Sequence, residues 1–292
     1  MKNYKIIKQK MTMGERFMSS SADRPTVEGK FYHIMVAPGE VSRYVLLPGD
    51  PARSDLIAKT WDEARLIARH REFTTYTGKY KGVPISVTST GIGGPSTAIA
   101  VEELLRAGAD TFIRVGTTGA IQPEISVGDI IITVAAVRLD GTSKQYIIPE
   151  YPAHAHYEVI NALVEAAESL GYNYWLGVTA STDSFYLGQG RPGYKNYTQS
   201  WVQNLYEDLR RAGVLNFEME SSTIFTLSSI YGARAGTVCA VIANRITNEF
   251  MPGSGIDKAI RVANEAVKIL YEWDEKKKLY KKKYFYPSLI TN

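Results

Sequence analysis

The chain has 292 residues, 45% hydrophobic and 22% charged, with 34 Lys and Arg against 30 Asp and Glu and a net charge of +4. That suffices for one large core or two small ones, and the charge balance permits a nucleic-acid partner without arguing for one. The single cysteine, Cys239, excludes an intrachain disulfide and fits a reducing compartment. Set in the apolar run 236–243, it reads as a small buried residue rather than a nucleophile.

Residues 1–10 are lysine-rich but lack the apolar centre and cleavage site of a signal peptide. No stretch is long and apolar enough to span a bilayer, so a cytoplasmic location is expected. Residues 1–30 are polar and mixed and read as a flexible extension. An apolar strand over 44–46 then runs into Leu47-Pro48-Gly49-Asp50-Pro51-Ala52-Arg53, where proline in the first turn opens a helix over 51–59. A strand over 85–87 leads into Ser89-Thr90-Gly91-Ile92-Gly93-Gly94-Pro95-Ser96. The helix over 96–107 that follows spaces Ile99, Ala100, Leu104 and Leu105 on one face and stops at Gly108. A strand over 111–113 leads into Arg114-Val115-Gly116-Thr117-Thr118-Gly119-Ala120. Further strands are predicted from 128 to 137, over 175–181 and over 235–243. Helices are predicted over 157–170, 221–231 and 256–275. Alternation of apolar strands with helices predicts a single α/β domain over 31–275 with a mostly parallel sheet.

The three loops share a chemistry. Each follows an apolar strand and offers Gly, Thr or Ser, or Arg: positive charge, hydroxyls and bare backbone N–H groups. Such a set at the carboxyl edge of a parallel sheet suits a phosphate. The glycines at 91, 93 and 94 do not fit the dinucleotide fingerprint, and there is no lysine loop of the Walker type. His154 and His156 lack the carboxylate or cysteine partners of a zinc site. The tail over 276–292 interleaves Lys276–Lys278 and Lys281–Lys283 with Tyr280, Tyr284, Phe285 and Tyr286. This composition could bind single strands, but reads more simply as a solvated helix end followed by a segment packing on a neighbour.

The motifs "PGDPAR", "HREFTTYTG", "STGIGGPS", "RVGTTGAIQP", "AVRLDG", "DSFYLGQGR" and "NFEMES" stand in one order along the chain. From about Phe31 to Tyr271 it resembles the nucleoside phosphorylase-I family, on the side of the bacterial uridine phosphorylases. The resemblance implies a mixed, partly barrel-like sheet and a hexamer built as a trimer of dimers with shared active sites. It also implies reversible phosphorolysis of uridine to uracil and ribose 1-phosphate, a step of pyrimidine salvage. Phosphate would be held by Arg53 and Arg114, by Arg71 of a partner, and by the Gly49 N–H and the Thr117 hydroxyl; guanidiniums bind such a dianion by paired hydrogen bonds. Glu220 would take the ribose hydroxyls, with Glu218 beside it and Met219 against the sugar ring. His33 would reach the 5′-hydroxyl from the partner. The nucleoside pocket would further include Thr117, Gly119 and Ile242. Gln189 and Arg191 would read uracil, and Phe185 would stack on it.

No organic cofactor is implied, and inorganic phosphate is the co-substrate. Glu72, Ile92 and Ser96 resemble a monovalent-cation site, with potassium the expected ion. The segment Ile242-Ala243-Asn244-Arg245 lacks the aspartate with which purine-specific relatives protonate their base. The chain also departs from the pattern. Gly190 and Leu187 replace the usual polar residue and proline, Ala243 replaces a valine, and the flap over 192–204 and the segment from His33 to Gly49 are slightly short. A smaller wall and shorter flap predict tolerance of thymidine or deoxyuridine. The alternatives are a purine or broad-specificity nucleoside phosphorylase and a non-catalytic nucleoside-binding protein. A hydrolytic nucleosidase would have no use for three phosphate arginines. Deletion beyond Glu275 should spare turnover if the tail is peripheral.

Overall fold

The computed structural model describes residues 21–289, so most of the expected N-terminal extension lies outside the described residues. In chain order the elements are β1 (Thr26–Val27), β2 (Lys30–Phe31), β3 (Tyr44–Leu47), α1 (Pro51–Ala58), β4 (Glu63–His70), β5 (Phe73–Tyr80), β6 (Val83–Thr88) and α2 (Gly94–Ala107). Then come β7 (Thr111–Ala120), β8 (Ile130–Leu139), α3 (Thr142–Tyr146), β9 (Ala153–His154), α4 (Tyr157–Leu170) and β10 (Tyr174–Thr182). The chain continues through α5 (Ser200–Arg211), β11 (Asn216–Glu218), α6 (Ser221–Ile230), β12 (Arg234–Asn244), β13 (Glu249–Phe250) and α7 (Ile256–Leu279).

Local signals set the helix ends. Asp50 caps α1 by accepting from Ala52 N at 2.9 Å, with Pro51 in the first turn. Gly108, at a φ of 112°, and Gly171, at 67°, close α2 and α4 in the left-handed region, where a side chain would be strained.

The strands form an 11-stranded mixed sheet in the order β13-β12-β8-β10-β11-β7-β3-β6-β5-β4, with β9 attached to β8. A second pairing of β12 with β7 closes β12, β8, β10, β11 and β7 into a ring. Strands β3, β6, β7 and β12 run parallel to their neighbours in that group, and antiparallel pairs close the ring and build the edge. Strand β7 alternates between two cores. Ile113 and Val115 pack with α4 and α7, through Leu163, Val262 and Leu270. Phe112 faces α2 and α6, through Leu104, Ile224 and Phe225. The loops after β3 and β6 therefore meet one end of β7; Arg114–Ala120, expected as a third loop, stays in the strand because β12 and β11 pair with it as far as Ala120.

The β4–β5 hairpin stands outside the predicted elements: β4 is largely exposed, and Ile67, at a register shift, interrupts the alternation of Ala64, Leu66 and Ala68. Helix α5 overlaps the flap expected over 192–204; it is polar overall yet strongly amphipathic, with Val202, Leu205 and Leu209 at helical spacing. The tail behaves differently from expectation. It packs on its own chain: Phe285 stacks on Trp273 with ring centroids 3.8 Å apart, and Leu289 is buried in the core. Lys277 reaches Glu158 at 2.7 Å and Asp274 at 2.9 Å, and Arg234 joins the same two carboxylates. These partners hold Asp274 far below the usual carboxylate range despite burial.

Phe285→Ala should therefore cost roughly 3 kcal/mol in urea denaturation, as a large-to-small core change. Truncation after Glu275 should cost more, because it also strips Lys277 from two buried carboxylates. A truncated chain as stable as the full one would show that the tail is peripheral after all.

Candidate active site

A cleft of about 1080 Å³ opens where the loops after β3 and β6 meet the Arg114–Gly119 part of β7 and the ring. Arg114 leaves β7 toward α6 and is buried. Its Nε donates to Glu218 at 2.8 Å, and Nη2 pairs with Glu220. Burial opposes the charge, but Glu220 and Glu218 outweigh it and hold the guanidinium above its usual range. Gly116 is glycine because of this packing: a Cβ there would lie 2.6 Å from Cys239 Sγ and 2.8 Å from Arg114 Nη2. Burial pushes the Cys239 thiol up to about 12, so it is an inert core residue.

Arg53 comes from the first turn of α1. Its hydrogen bond goes to a carbonyl, Val115 O at 3.2 Å, not to a carboxylate. Burial and the neighbouring Arg114 push it below its usual value. Gly49 lies against the Gly91 loop, with a would-be Cβ 3.2 Å from Gly91 O. Thr117 lines the same wall.

Glu220 ties two helix starts together. It accepts from Gly93 N at 2.6 Å, beside the start of α2, and itself precedes α6. Burial raises its affinity for a proton, with Arg114 opposing. Glu218 also lines the cleft, but its hydrogen bonds run to protein donors. It takes Arg114 at 2.8 Å, the Glu220 and Ser221 N–H groups at 2.9 Å each, and the Ser181 hydroxyl. Met219 and Ile242 complete the wall.

The other end is cationic and aromatic. Arg191 donates to Gln189 Oε1 at 2.5 Å and to Phe185 O at 2.8 Å, and its guanidinium lies 4.1 Å over the Phe185 ring. Burial and then Arg245 push Arg191 down to about 10. Arg245 was not singled out from the sequence. It donates to the carbonyls of Gln189 and Gly190 and lies 4.4 Å over the Tyr206 ring, so it supports the Gln189 turn from beneath. A signal was present: an arginine ending an apolar strand is out of place unless it is used. Gly119 has room for a Cβ, the nearest atoms being Arg191 Nη2 at 3.8 Å and Arg245 Cδ at 3.9 Å. The absent side chain leaves that space to the cleft.

Asn244 also borders the cleft, but its side-chain hydrogen bonds are spent on the backbone. Its amide donates to the carbonyls of Gln122 at 2.9 Å and Ile125 at 2.7 Å, and its oxygen accepts from Ile246 N at 2.8 Å.

Three predicted residues, His33, Arg71 and Ser96, do not line this cleft, whereas Glu72 and Ile92 do. His33 and Arg71 sit together on the surface with Tyr32: Arg71 lies 5.6 Å over the Tyr32 ring and reaches its hydroxyl at 3.4 Å. Glu72 and Ser96 converge on Gly91, a would-be Cβ of which lies 2.8 Å from Glu72 Cγ and 3.1 Å from Ser96 Oγ. Ser96 Oγ also donates to Ile92 O at 3.3 Å, so the oxygen donors expected for the cation are adjacent. Among the described residues no group of three His, Cys, Asp or Glu could hold a metal ion, and no helix is long and apolar enough to cross a membrane.

Residues 43–272 match the model of the phosphorylase superfamily. A uridine phosphorylase of Thermococcus kodakarensis is 65% identical over 95% of this chain and 99% of its own length. A uridine phosphorylase of Escherichia coli is 48% identical over 78% of this chain and 89% of its own length. A guanosine phosphorylase of Halorubrum lacusprofundi is 37% identical over 82% of this chain and 98% of its own length. With its closed ring and its arginine-lined cleft, the chain belongs to the phosphorylase superfamily and stands there with the uridine phosphorylases.

Proposed function

We propose that the protein cleaves uridine with inorganic phosphate, giving uracil and α-D-ribose 1-phosphate, reversibly. The observation that carries this reading is Arg53, a half-buried guanidinium beside Arg114 whose hydrogen bond is spent on a carbonyl. A site that disfavours its own cation is stabilised by an entering anion. Phosphate sits against Arg53, Arg114, the Gly49 N–H and the Thr117 hydroxyl. Glu220 accepts from the ribose 2′- and 3′-hydroxyls, and Met219 packs on the ring. Glu218, its oxygens engaged, acts by holding Arg114 and the start of α6.

The reaction is dissociative. As the glycosidic bond stretches, the sugar gains oxocarbenium character and the dianion below it stabilises that charge. Phosphate oxygen then bonds to C1′ with inversion. The bonding pair leaves with uracil, whose developing charge is met by Gln189 and Arg191 while Phe185 stacks on the ring. Arg191, disfavoured as a cation by burial and Arg245, gains most from an anion forming beside it. Positioning and fixed charge supply the rate, so no strong general acid is required.

The site is completed by a second copy. His33 and Arg71, absent from the cleft of their own chain, reach the 5′-hydroxyl and phosphate of the neighbour's, and three such dimers make a hexamer. Glu72, Ser96 and the Ile92 carbonyl hold a potassium ion at that contact; hard oxygen donors suit it. The base end, with Phe185 half-exposed and the small Ala243 in its wall, admits thymidine and deoxyuridine.

Purified protein given uridine, thymidine, inosine and 5′-methylthioadenosine, with and without phosphate, should release uracil and ribose 1-phosphate from uridine only when phosphate is present. Cleavage without phosphate, or of purines alone, would sink the proposal. Arg53→Ala should raise KM for phosphate about 10- to 100-fold in steady-state kinetics, while KM for uridine moves little. Asn244→Asp should destabilise by about 2–4 kcal/mol, because it sets a buried carboxylate against two carbonyls, and should confer no purine turnover. Inosine cleavage by that variant would mean that Asn244 faces the base.

A further inference from the structure

The surface arm that carries Tyr32 and His33 is held by one carboxylate. Glu103 projects from α2 and is buried. Its Oε1 lies 2.7 Å from His33 Nδ1. Its Oε2 accepts from the backbone N–H groups of His33 at 3.2 Å and Ile34 at 2.9 Å. From the other side, His70 Nδ1 donates to the His33 carbonyl at 2.9 Å. The His33 backbone is therefore clamped twice, while its side chain keeps 29% of its surface exposed.

A carboxylate only accepts, so the hydrogen lies on His33 Nδ1. A neutral imidazole held this way presents Nε2 as an acceptor. We propose that Glu103 is a positioning residue: it fixes the tautomer and direction of His33 so that Nε2 receives a hydrogen bond from the 5′-hydroxyl of the nucleoside in the neighbouring cleft. This rests on the reading of His33 given above and adds the residue that makes His33 competent for it. The same helix serves both clefts. The residue before its start, Gly93, donates to Glu220 of its own site, and Glu103 lies about 14 Å further along.

The test compares kcat/KM for uridine and for 5′-deoxyuridine in the full-length wild-type, His33→Ala and Glu103→Gln proteins. Glutamine keeps the size and can still accept from the backbone, but its NH2 can donate to Nδ1 and so release the tautomer. The wild type should prefer uridine, and H33A should lose most of that preference. E103Q should lose about 5- to 10-fold of it while its rate on 5′-deoxyuridine stays at the wild-type value. Equal losses on both nucleosides would show a merely structural role and overturn the proposal, as would an unchanged preference in E103Q while H33A abolishes it. An unchanged preference in H33A would overturn the underlying reading of His33, and the proposal with it. If E103Q does not fold, the wild type still decides. Of the four histidines, the one whose imidazole 15N signals vanish in H33A must show the Nδ1-protonated pattern, and an Nε2-protonated pattern would overturn the assignment.

Discussion

Arg114, buried between Glu218 and Glu220, is the interaction on which the cleft is built. It joins the middle of β7 to the turn between β11 and α6, and through Glu220 and Gly93 it also fixes the start of α2. An ion cluster of this kind is not there for stability, since well-packed apolar side chains of the same volume would serve as well. Once present it is obligatory, because removing one member strands a buried charge at a cost of about 3–5 kcal/mol. The fold therefore carries its polar machinery fully assembled. Glu218 shows the cost in donors: its buried carboxylate takes two backbone N–H groups, a hydroxyl and a guanidinium.

The charge arithmetic continues along the cleft. Arg114 cannot by itself neutralise two carboxylates, and Arg53 supplies the second positive charge close by. At the far end Arg191 and Arg245 sit side by side with aromatic faces and carbonyls, rather than carboxylates, as their contacts. At both ends burial and a like charge work against a cation. Phosphorolysis brings one anion to the first end and creates another at the second. On the proposed reading, the protein stores at each end the electrostatic deficit that the reaction fills, which is how fixed charge favours a transition state over the resting site.

The strand ends and their loops were legible because anion chemistry demands Gly, Arg and Thr at places where an apolar strand stops. Residues 49, 53, 114 and 117 stand in these segments and meet in one cleft, although 114 and 117 lie within β7 rather than past its end, and their assignment to phosphate rests on the resemblance. The resemblance alone supplied Phe185, Gln189 and Arg191, since a turn of mixed residues has no periodicity to read. Glu103 was invisible because it looks like any polar residue on an amphipathic helix. Its meaning comes from an arm 70 residues away in sequence. The basic tail misled for the opposite reason. A lysine run suggests solvent, yet Lys277 faces two buried carboxylates, and only tertiary packing separates it from its neighbours.

The last step from strand to site is a bulge. Strand β12 pairs with β7 in regular parallel register as far as Val241 opposite Thr118, and then Ala243 stands opposite Gly119. Ile242 is the extra residue. In a regular strand Ile242 and Ala243 would point to opposite faces, and only one could reach the cleft. The bulge turns both toward it, and both line it. It also sets the next residues: Asn244 turns inward to tie down the carbonyls of Gln122 and Ile125, and Arg245 emerges beneath the Gln189 turn. One inserted residue thus converts a barrel strand into a wall of the cleft and a support for the Gln189 turn. No alternation in the sequence marks it, because every residue from 235 to 243 is apolar or small and fits either face.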